Sequence, residues 1–226
     1  MNPLKTTLHH LPNSRSQRIL WLLEELGLDY TLQICFDKNA ADAKLKFPTL
    51  SVQKHDTVQT FTESSAIAEY LGQHQQQLIL KPHDDNYWLY CFYLHYADAS
   101  FMPNLALKQV FAQIAQQTPW PVRFVSLAFK AAFNRAYLNA ELSQHLHQLN
   151  EHLRQHIWLA GDQFSIADIL LWFPLHASQY AHPQFADYPA LIQYLAQIKS
   201  RPAFQTAMQK GCWSAEEFQR YWRMTQ

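Results

Sequence analysis

Three features of the chain predict an α/β N-terminal domain followed by an all-helical domain. A strand-type alternation, a helical stripe and a second alternation follow one another up to Phe36. A proline-led hairpin that runs into a helix start then occupies Lys46 to Leu71. From Gly72 onward no strand alternation recurs, and apolar residues return at helical spacing.

Taken in order, Leu4 to Leu11 reads as a strand that ends at Pro12-Asn13. Ser14-Arg15-Ser16-Gln17 precedes a stripe of Ile19, Leu20, Leu22, Leu23 and Leu26, which Gly27 closes as a helix C-terminus. Tyr30, Leu32, Ile34 and Phe36 alternate with Thr31, Gln33 and Cys35, the period of a second strand. Strand, helix and strand imply a right-handed parallel unit. A short polar connection, Asp37 to Lys46, leads to Phe47-Pro48 and the strand Thr49 to Gln53. Proline lacks an N–H for the ladder and so suits a strand's first residue or its edge. His55-Asp56-Thr57 reads as the turn and Val58 to Phe61 as the returning strand; Thr62-Glu63-Ser64-Ser65 then starts a helix with Ile67, Tyr70 and Leu71 on one face.

That stretch admits chemistry as well as scaffolding. The proline at the strand entrance can leave the backbone of Phe47 free to pair with an extended peptide, and the N–H groups at Glu63-Ser64-Ser65 suit a carboxylate. The alternative is a hairpin and helix that merely build a sheet edge.

The domain boundary is expected near residues 72 to 84, giving domains at 1–77 and 84–226. Asp85 to Gln117 reads as a helix kinked at Pro103, and Pro121 to His156 as another, interrupted near Tyr137-Leu138-Asn139; Pro119-Trp120-Pro121 separates them. Further helices fit Ser165 to Ala181, Pro189 to Lys199, Pro202 to Gln209 and Ser214 to Met224. Within Gly161 to Asp168, Ser165 and Asp168 form a capping box and Phe164 and Ile169 fill the positions of a hydrophobic staple, so Asp168 reads as structural.

Composition narrows the function classes. In 226 residues, 18 Lys and Arg balance 18 Asp and Glu, which removes the electrostatic footprint of a nucleic-acid binder or a polybasic membrane anchor. An aromatic content of 14% with only 4 Gly points to a packed, mostly helical protein. Cys35, Cys91 and Cys212 are widely spaced, without the pattern of a zinc site, so no metal and a reduced cytoplasmic setting are expected. The first 30 residues lack a signal-peptide core and no apolar run is long enough to span a membrane.

A family likeness rests on Leu11-Pro12-Asn13-Ser14-Arg15-Ser16-Gln17-Arg18, Trp21 to Gly27, Phe47-Pro48-Thr49-Leu50, Glu63-Ser64-Ser65-Ala66-Ile67, the Gly161 to Asp168 box and Ser200-Arg201-Pro202-Ala203-Phe204. In this order, and over nearly the whole chain, these resemble the cytosolic glutathione transferases, most nearly the bacterial and fungal group with an S-R-S-x-R loop. The resemblance implies a thioredoxin-like glutathione-binding domain, a helical electrophile-binding domain, and a homodimer. It further implies a cis Pro48, pairing of the Phe47 backbone with the cysteinyl part of glutathione, and a grip by Glu63 and Ser64 on the γ-glutamyl end. It also places Lys46 within reach of the glycyl end and Asp98 across the dimer.

Glutathione reacts as its thiolate, whereas a free thiol near pKa 8.5 is mostly protonated at neutral pH. A hydroxyl at a helix N-terminus that donates to the sulfur favours the anion. Ser14 matches the serine of the serine-type members, with Arg15 adding positive field and Ser16 as second candidate. Ser14-x-x-Gln17 also reads as a capping box, in which Ser14 would only cap the helix. Where tyrosine-type members carry their hydroxyl, this chain has His9-His10, which makes His9 a third candidate. The loop Asn13 to Gln17 holds no cysteine, which argues against members that form a mixed disulfide with glutathione. Tyr93, Tyr96, Phe101 and Met102, with Phe124 and Trp213, are the expected electrophile-pocket residues, although each also suits a helix-helix core.

The expected activity is attack of the glutathione thiol on hydrophobic electrophiles, with hydroperoxide reduction as a side activity. A narrower glutathione-dependent isomerase or dehalogenase, and a non-catalytic module of the same fold, are the alternatives.

Overall fold

A computed structural model describes residues 5–36, 46–54 and 57–226. Leu4, the connection over residues 37–45 and the expected turn at His55-Asp56 lie outside the described residues.

The N-terminal unit is built as its alternation requires. β1 (Lys5–His10), α1 (Ser16–Glu25) and β2 (Tyr30–Ile34) form a parallel strand-helix-strand unit, in which Thr6 pairs with Tyr30 and His10 with Ile34. β3 (Thr49–Lys54) runs antiparallel to β1, and β4 (Thr57–Phe61) antiparallel to β3, giving the sheet order β2-β1-β3-β4. Successive strand residues face opposite sides, so Thr6, Leu8 and His10 share the buried face of β1. Gly27 ends α1 at φ +61°, a backbone region that costs glycine little. Phe36, expected as part of β2, lies beyond its end and is exposed. α2 (Ser64–Gln75) follows the hairpin directly.

The remaining chain is helical. α3 (Tyr87–Tyr96) runs through a π turn at Ala97–Phe101 into α4 (Met102–Gln117). The expected kink at Pro103 is thus this wider turn just before the proline, whose ring cannot fit above an undisturbed preceding turn. A 3-10 turn at Trp120–Val122 opens α5 (Arg123–Phe133), and a second π turn at Asn134–Leu138 joins it to α6 (Asn139–Leu153), at the expected interruption. α7 (Ile166–Ala181), α8 (Pro189–Lys199), α9 (Pro202–Lys210) and α10 (Ala215–Arg223) complete the fold.

α1 is the hub. Ser16 to Leu23 are all buried, so the helix lies between the sheet on one side and the helical region on the other. Trp21 packs edge-on against Trp172 of α7 and Phe204 of α9, at centroid distances of 6.2 and 5.1 Å. The buried Arg18 guanidinium donates to Asp98 Oδ1 at 3.0 Å and to the Leu170 carbonyl at 2.8 Å. Glu25 accepts a two-pronged contact from Arg201 at 2.6 and 2.8 Å.

The capping box of Ser165 and Asp168 forms at the start of α7. Asp168 is fully buried: Oδ2 accepts from the Ser165 N–H and hydroxyl, while Oδ1 accepts from the Leu159 N–H at 3.0 Å and Tyr194 Oη at 2.8 Å. It therefore holds a loop, a helix start and α8 together. Asp168→Ala strands four buried donors and is expected to cost about 3 kcal/mol or more, read as a lower urea midpoint; a midpoint near wild type would contradict this role.

His176 of α7 lies within the aromatic core, stacked on Phe218 at 5.0 Å, with Nδ1–H donating to Gln179 Oε1 at 2.9 Å. Burial pushes its pKa down from 6.5 to about 4. The unfolded chain therefore binds the proton more readily, and the stability this histidine supplies is full above about pH 6.5 and lost as pH falls toward about 4. Burial pushes the Asp168 carboxyl up to about 6, which acts with the opposite sign over much of that range. The single-group effect is isolated by comparing wild type with His176→Gln: the variant is expected to lose part of the fall in urea midpoint on acidification, and an unchanged slope would contradict the assignment.

Candidate active site

Strand register brings three separate segments to one end of the sheet. His9 pairs with Thr49, so Phe47-Pro48, joined by a cis peptide bond, lies beside the segment that leaves β1 at Leu11. Leu50 pairs with Phe61, which carries the start of α2 to the same end. Glu63 is the N-cap of α2 with extended backbone, and no side chain caps the helix, so its first-turn N–H groups point at this end. Ser64 is buried, whereas Glu63 and Lys46 are exposed.

The loop after β1 is held by its own polar groups. Asn13 adopts φ +56°, a conformation asparagine tolerates. Its side chain accepts from the Ser214 N–H at 2.9 Å and donates to Glu217 at 2.9 Å, which ties the loop to the start of α10. The expected capping box does not form, because α1 starts at Ser16 with Arg15 as N-cap, and Gln17 donates instead to the Ala207 carbonyl at 2.7 Å. Ser14 Oγ accepts from the Ser16 N–H at 3.2 Å and lies 2.8 Å from both the Leu11 carbonyl and Ser16 Oγ. Arg15 is exposed beside it.

A cavity of about 770 Å³ opens at this loop. Leu11 to Arg15 form one wall, with Met102 and Val110 of α4, Phe173 of α7 and Tyr221 of α10 among the others. Of the expected pocket residues only Met102 lines it. Tyr93, Tyr96 and Phe101 are buried in the helical core, where Tyr96 Oη and His145 Nδ1 are 2.6 Å apart. Phe124 is exposed on α5, and Trp213 packs on Trp172. Tyr93 and Tyr96 belong to α3, before the π turn, and Phe101 to the turn itself, whereas Met102 starts α4, the helix that walls the cavity. The lining residues of α10 were missed, although their signal is present: the Ser214 cap, then Phe218, Tyr221 and Trp222 at helical spacing.

The two histidines at the end of β1 face opposite ways. Half-buried His9 is on the opposite face of β1 from α1, while buried His10 points toward it, with Nδ1 2.7 Å from Ser16 Oγ. Asp98, expected to reach across a dimer, pairs with Arg18 of its own chain.

Comparison with known proteins agrees with this architecture. Residues 14–74 match the model of the glutathione S-transferase N-terminal domain, and residues 128–197 that of the glutathione S-transferase C-terminal domain. The chain is 31% identical to glutathione S-transferase 3 of Schizosaccharomyces pombe over 210 residues, 90% of this chain and 86% of the relative. Among solved structures it resembles a glutathione S-transferase from Actinobacillus pleuropneumoniae, at 29% identity and TM-score 0.70 over 92% of this chain and 93% of that one. It shares the fold of a glutathione transferase family member from Pseudomonas fluorescens solved with two glutathione bound, at 20% identity and TM-score 0.72 over 92% and 94% of the two chains. The sheet, the helical region and the match across both halves converge: the chain belongs to the glutathione S-transferase family.

Proposed function

We propose that the chain binds glutathione at the end of its sheet and activates the thiol at Ser14 for attack on hydrophobic electrophiles held in the adjoining cavity. The observation that carries this reading is the position of Ser14: it lines the cavity and belongs to the loop that leaves β1 beside Phe47-Pro48. Glutathione has three recognition features, and the sheet end offers a match for each. The α2 N–H groups and Ser64 suit the γ-glutamyl carboxylate and Glu63 its ammonium. The Phe47 backbone suits the cysteinyl amide, and Lys46 the glycyl carboxylate.

At neutral pH only a few per cent of a free thiol is ionised, and each unit of pKa lowering corresponds to about 1.4 kcal/mol. A hydrogen bond from Ser14 together with the field at the α1 N-terminus and Arg15 supplies stabilisation of about that size. The thiolate then attacks an electrophile oriented by the apolar walls, and positioning lowers the remaining barrier. In the same cavity it attacks the O–O bond of an organic hydroperoxide, a side activity that a second glutathione completes as the disulfide. The family setting favours a cytoplasmic homodimer, and exposed Trp88 and Phe92 on α3, at 78% and 57% exposure, are in keeping with a covered helix face. Among the described residues, no helix is long and apolar enough to cross a membrane.

Calorimetry with glutathione and conjugation of a chromogenic aryl halide test this reading. Ser14→Ala is expected to bind glutathione near wild-type affinity and to lose about 10- to 100-fold in kcat; an unaffected rate would remove Ser14 as activator. Ser64→Ala is expected to weaken glutathione binding about tenfold while kcat at saturation holds. No binding of millimolar glutathione by the wild type would overturn the function itself.

A further inference from the structure

Ser14 stands at the mouth of an unbroken line of hydrogen-bonding atoms that runs into the protein. Ser14 Oγ is 2.8 Å from Ser16 Oγ, Ser16 Oγ is 2.7 Å from His10 Nδ1, and His10 Nε2 is 2.9 Å from the Gly211 carbonyl. Ser16 and His10 are both fully buried. Gly211 approaches so closely that an added Cβ would collide with the Gln17 side chain.

The direction of each proton follows from what each atom can do. A carbonyl only accepts, so His10 Nε2 carries hydrogen. Burial lowers the proton affinity of the ring and leaves it neutral, so Nδ1 is bare. Of the two acceptors in reach of the Ser16 hydroxyl, the bare nitrogen at 2.7 Å is closer than the Leu11 carbonyl at 3.1 Å and takes its single proton. Ser16 Oγ then presents only lone pairs, one of them to the Leu11 N–H at 3.1 Å. Ser14 in turn directs its proton inward, to Ser16 Oγ or the Leu11 carbonyl. What Ser14 turns to the cavity is a lone pair, which suits a thiol and opposes a thiolate.

We propose that Ser14, Ser16 and His10 form a relay that draws the proton of a cavity-bound thiol into the protein, with His10 as its final acceptor. The proposal rests on the reading of Ser14 as the partner of the glutathione sulfur. The S–H bond breaks as a new O–H bond forms on Ser14; the former Ser14 proton passes to Ser16, and the former Ser16 proton passes to His10 Nδ1. The sulfur keeps the electron pair, and the imidazolium carries the matching positive charge. Afterwards the three side chains are still paired with one another, and the Leu11 carbonyl gives up its hydroxyl donor. Ser14 donates to the thiolate, Ser16 to Ser14, and Nδ1–H to Ser16, while Nε2–H remains on Gly211.

Burial disfavours the imidazolium, while the contacts to Gly211 and Ser16 favour it. Among the described residues, the titratable groups nearby include His9 on the opposite face of β1, Cys35, whose N–H donates to the His10 carbonyl at 2.8 Å, and Cys212 after Gly211. Among the described residues no charged group is an influence on His10, so its proton is held chiefly while the thiolate supplies the opposite charge. Ser14 alone touches the thiol; Ser16 and His10 are positioning residues that act through it.

The test is the pH titration of thiolate ultraviolet absorbance of glutathione bound to wild type, Ser16→Ala, Ser16→Thr and His10→Gln, with binding measured in parallel. Ser16→Ala and His10→Gln are expected to retain glutathione affinity but to raise the bound thiol pKa by about one unit and lower kcat at neutral pH about tenfold. Ser16→Thr keeps the hydroxyl and is expected to titrate as wild type. Should His10→Gln fail to fold, Ser16→Ala removes one buried oxygen and breaks the same relay. A wild-type thiol pKa in Ser16→Ala with glutathione bound would overturn the relay alone, whereas absence of glutathione binding by the wild type would overturn the site reading with it.

Discussion

Burial of α1 on all sides is the constraint on which the rest depends. A helix packed only against its own sheet could shift along it, and the loop at its N-terminus would shift too. Here the helix is also gripped from the helical region, by Arg18 on Leu170, Gln17 on Ala207, Arg201 on Glu25 and the aromatic cluster around Trp21. These contacts are close and directional, so they fix the axial position and rotation of α1. Ser14 and Ser16 inherit that position, which allows a hydroxyl to be aimed at a substrate atom.

The same grip explains why the site forms where the two halves of the chain meet. On the proposed reading, glutathione is recognised by backbone and side chains at the sheet end, while the cavity is walled by α4, α7 and α10. Ser14 is shared by both. α10 is not a loose tail: Asn13 holds its start, Gln109 donates to the Tyr221 carbonyl at 3.1 Å, and Lys130 donates to the Met224 carbonyl at 2.6 Å. A wall of the cavity is thus tied both to the loop that bears the hydroxyl and to the helices α4 and α5.

Most of the fold was legible because its signals are local. The parallel unit, the proline-led hairpin, the interruptions near Pro103 and Leu138 and the Ser165 box all rest on spacing within a few residues. The hairpin and helix start proposed to hold glutathione were legible for the same reason. Facing was harder. Tyr93, Tyr96, Phe101 and Met102 were all expected in the pocket; the first three are buried in the helical core, and Met102 lines the cavity together with Val110. The burial of His10 was legible, since it shares the strand parity of Thr6 and Leu8. The role of Gly211, 201 residues from His10 in sequence, has no local signal at all.

What unites these features is a hydroxyl whose surroundings decide whether it gives or takes a proton. A crystal structure of the wild-type chain with glutathione bound examines that most directly. The expected result is the sulfur within about 3.5 Å of Ser14 Oγ, with the peptide paired to Phe47 and the γ-glutamyl end at the start of α2. Sulfur seated against His9, or turned away from the N-terminus of α1, would contradict it.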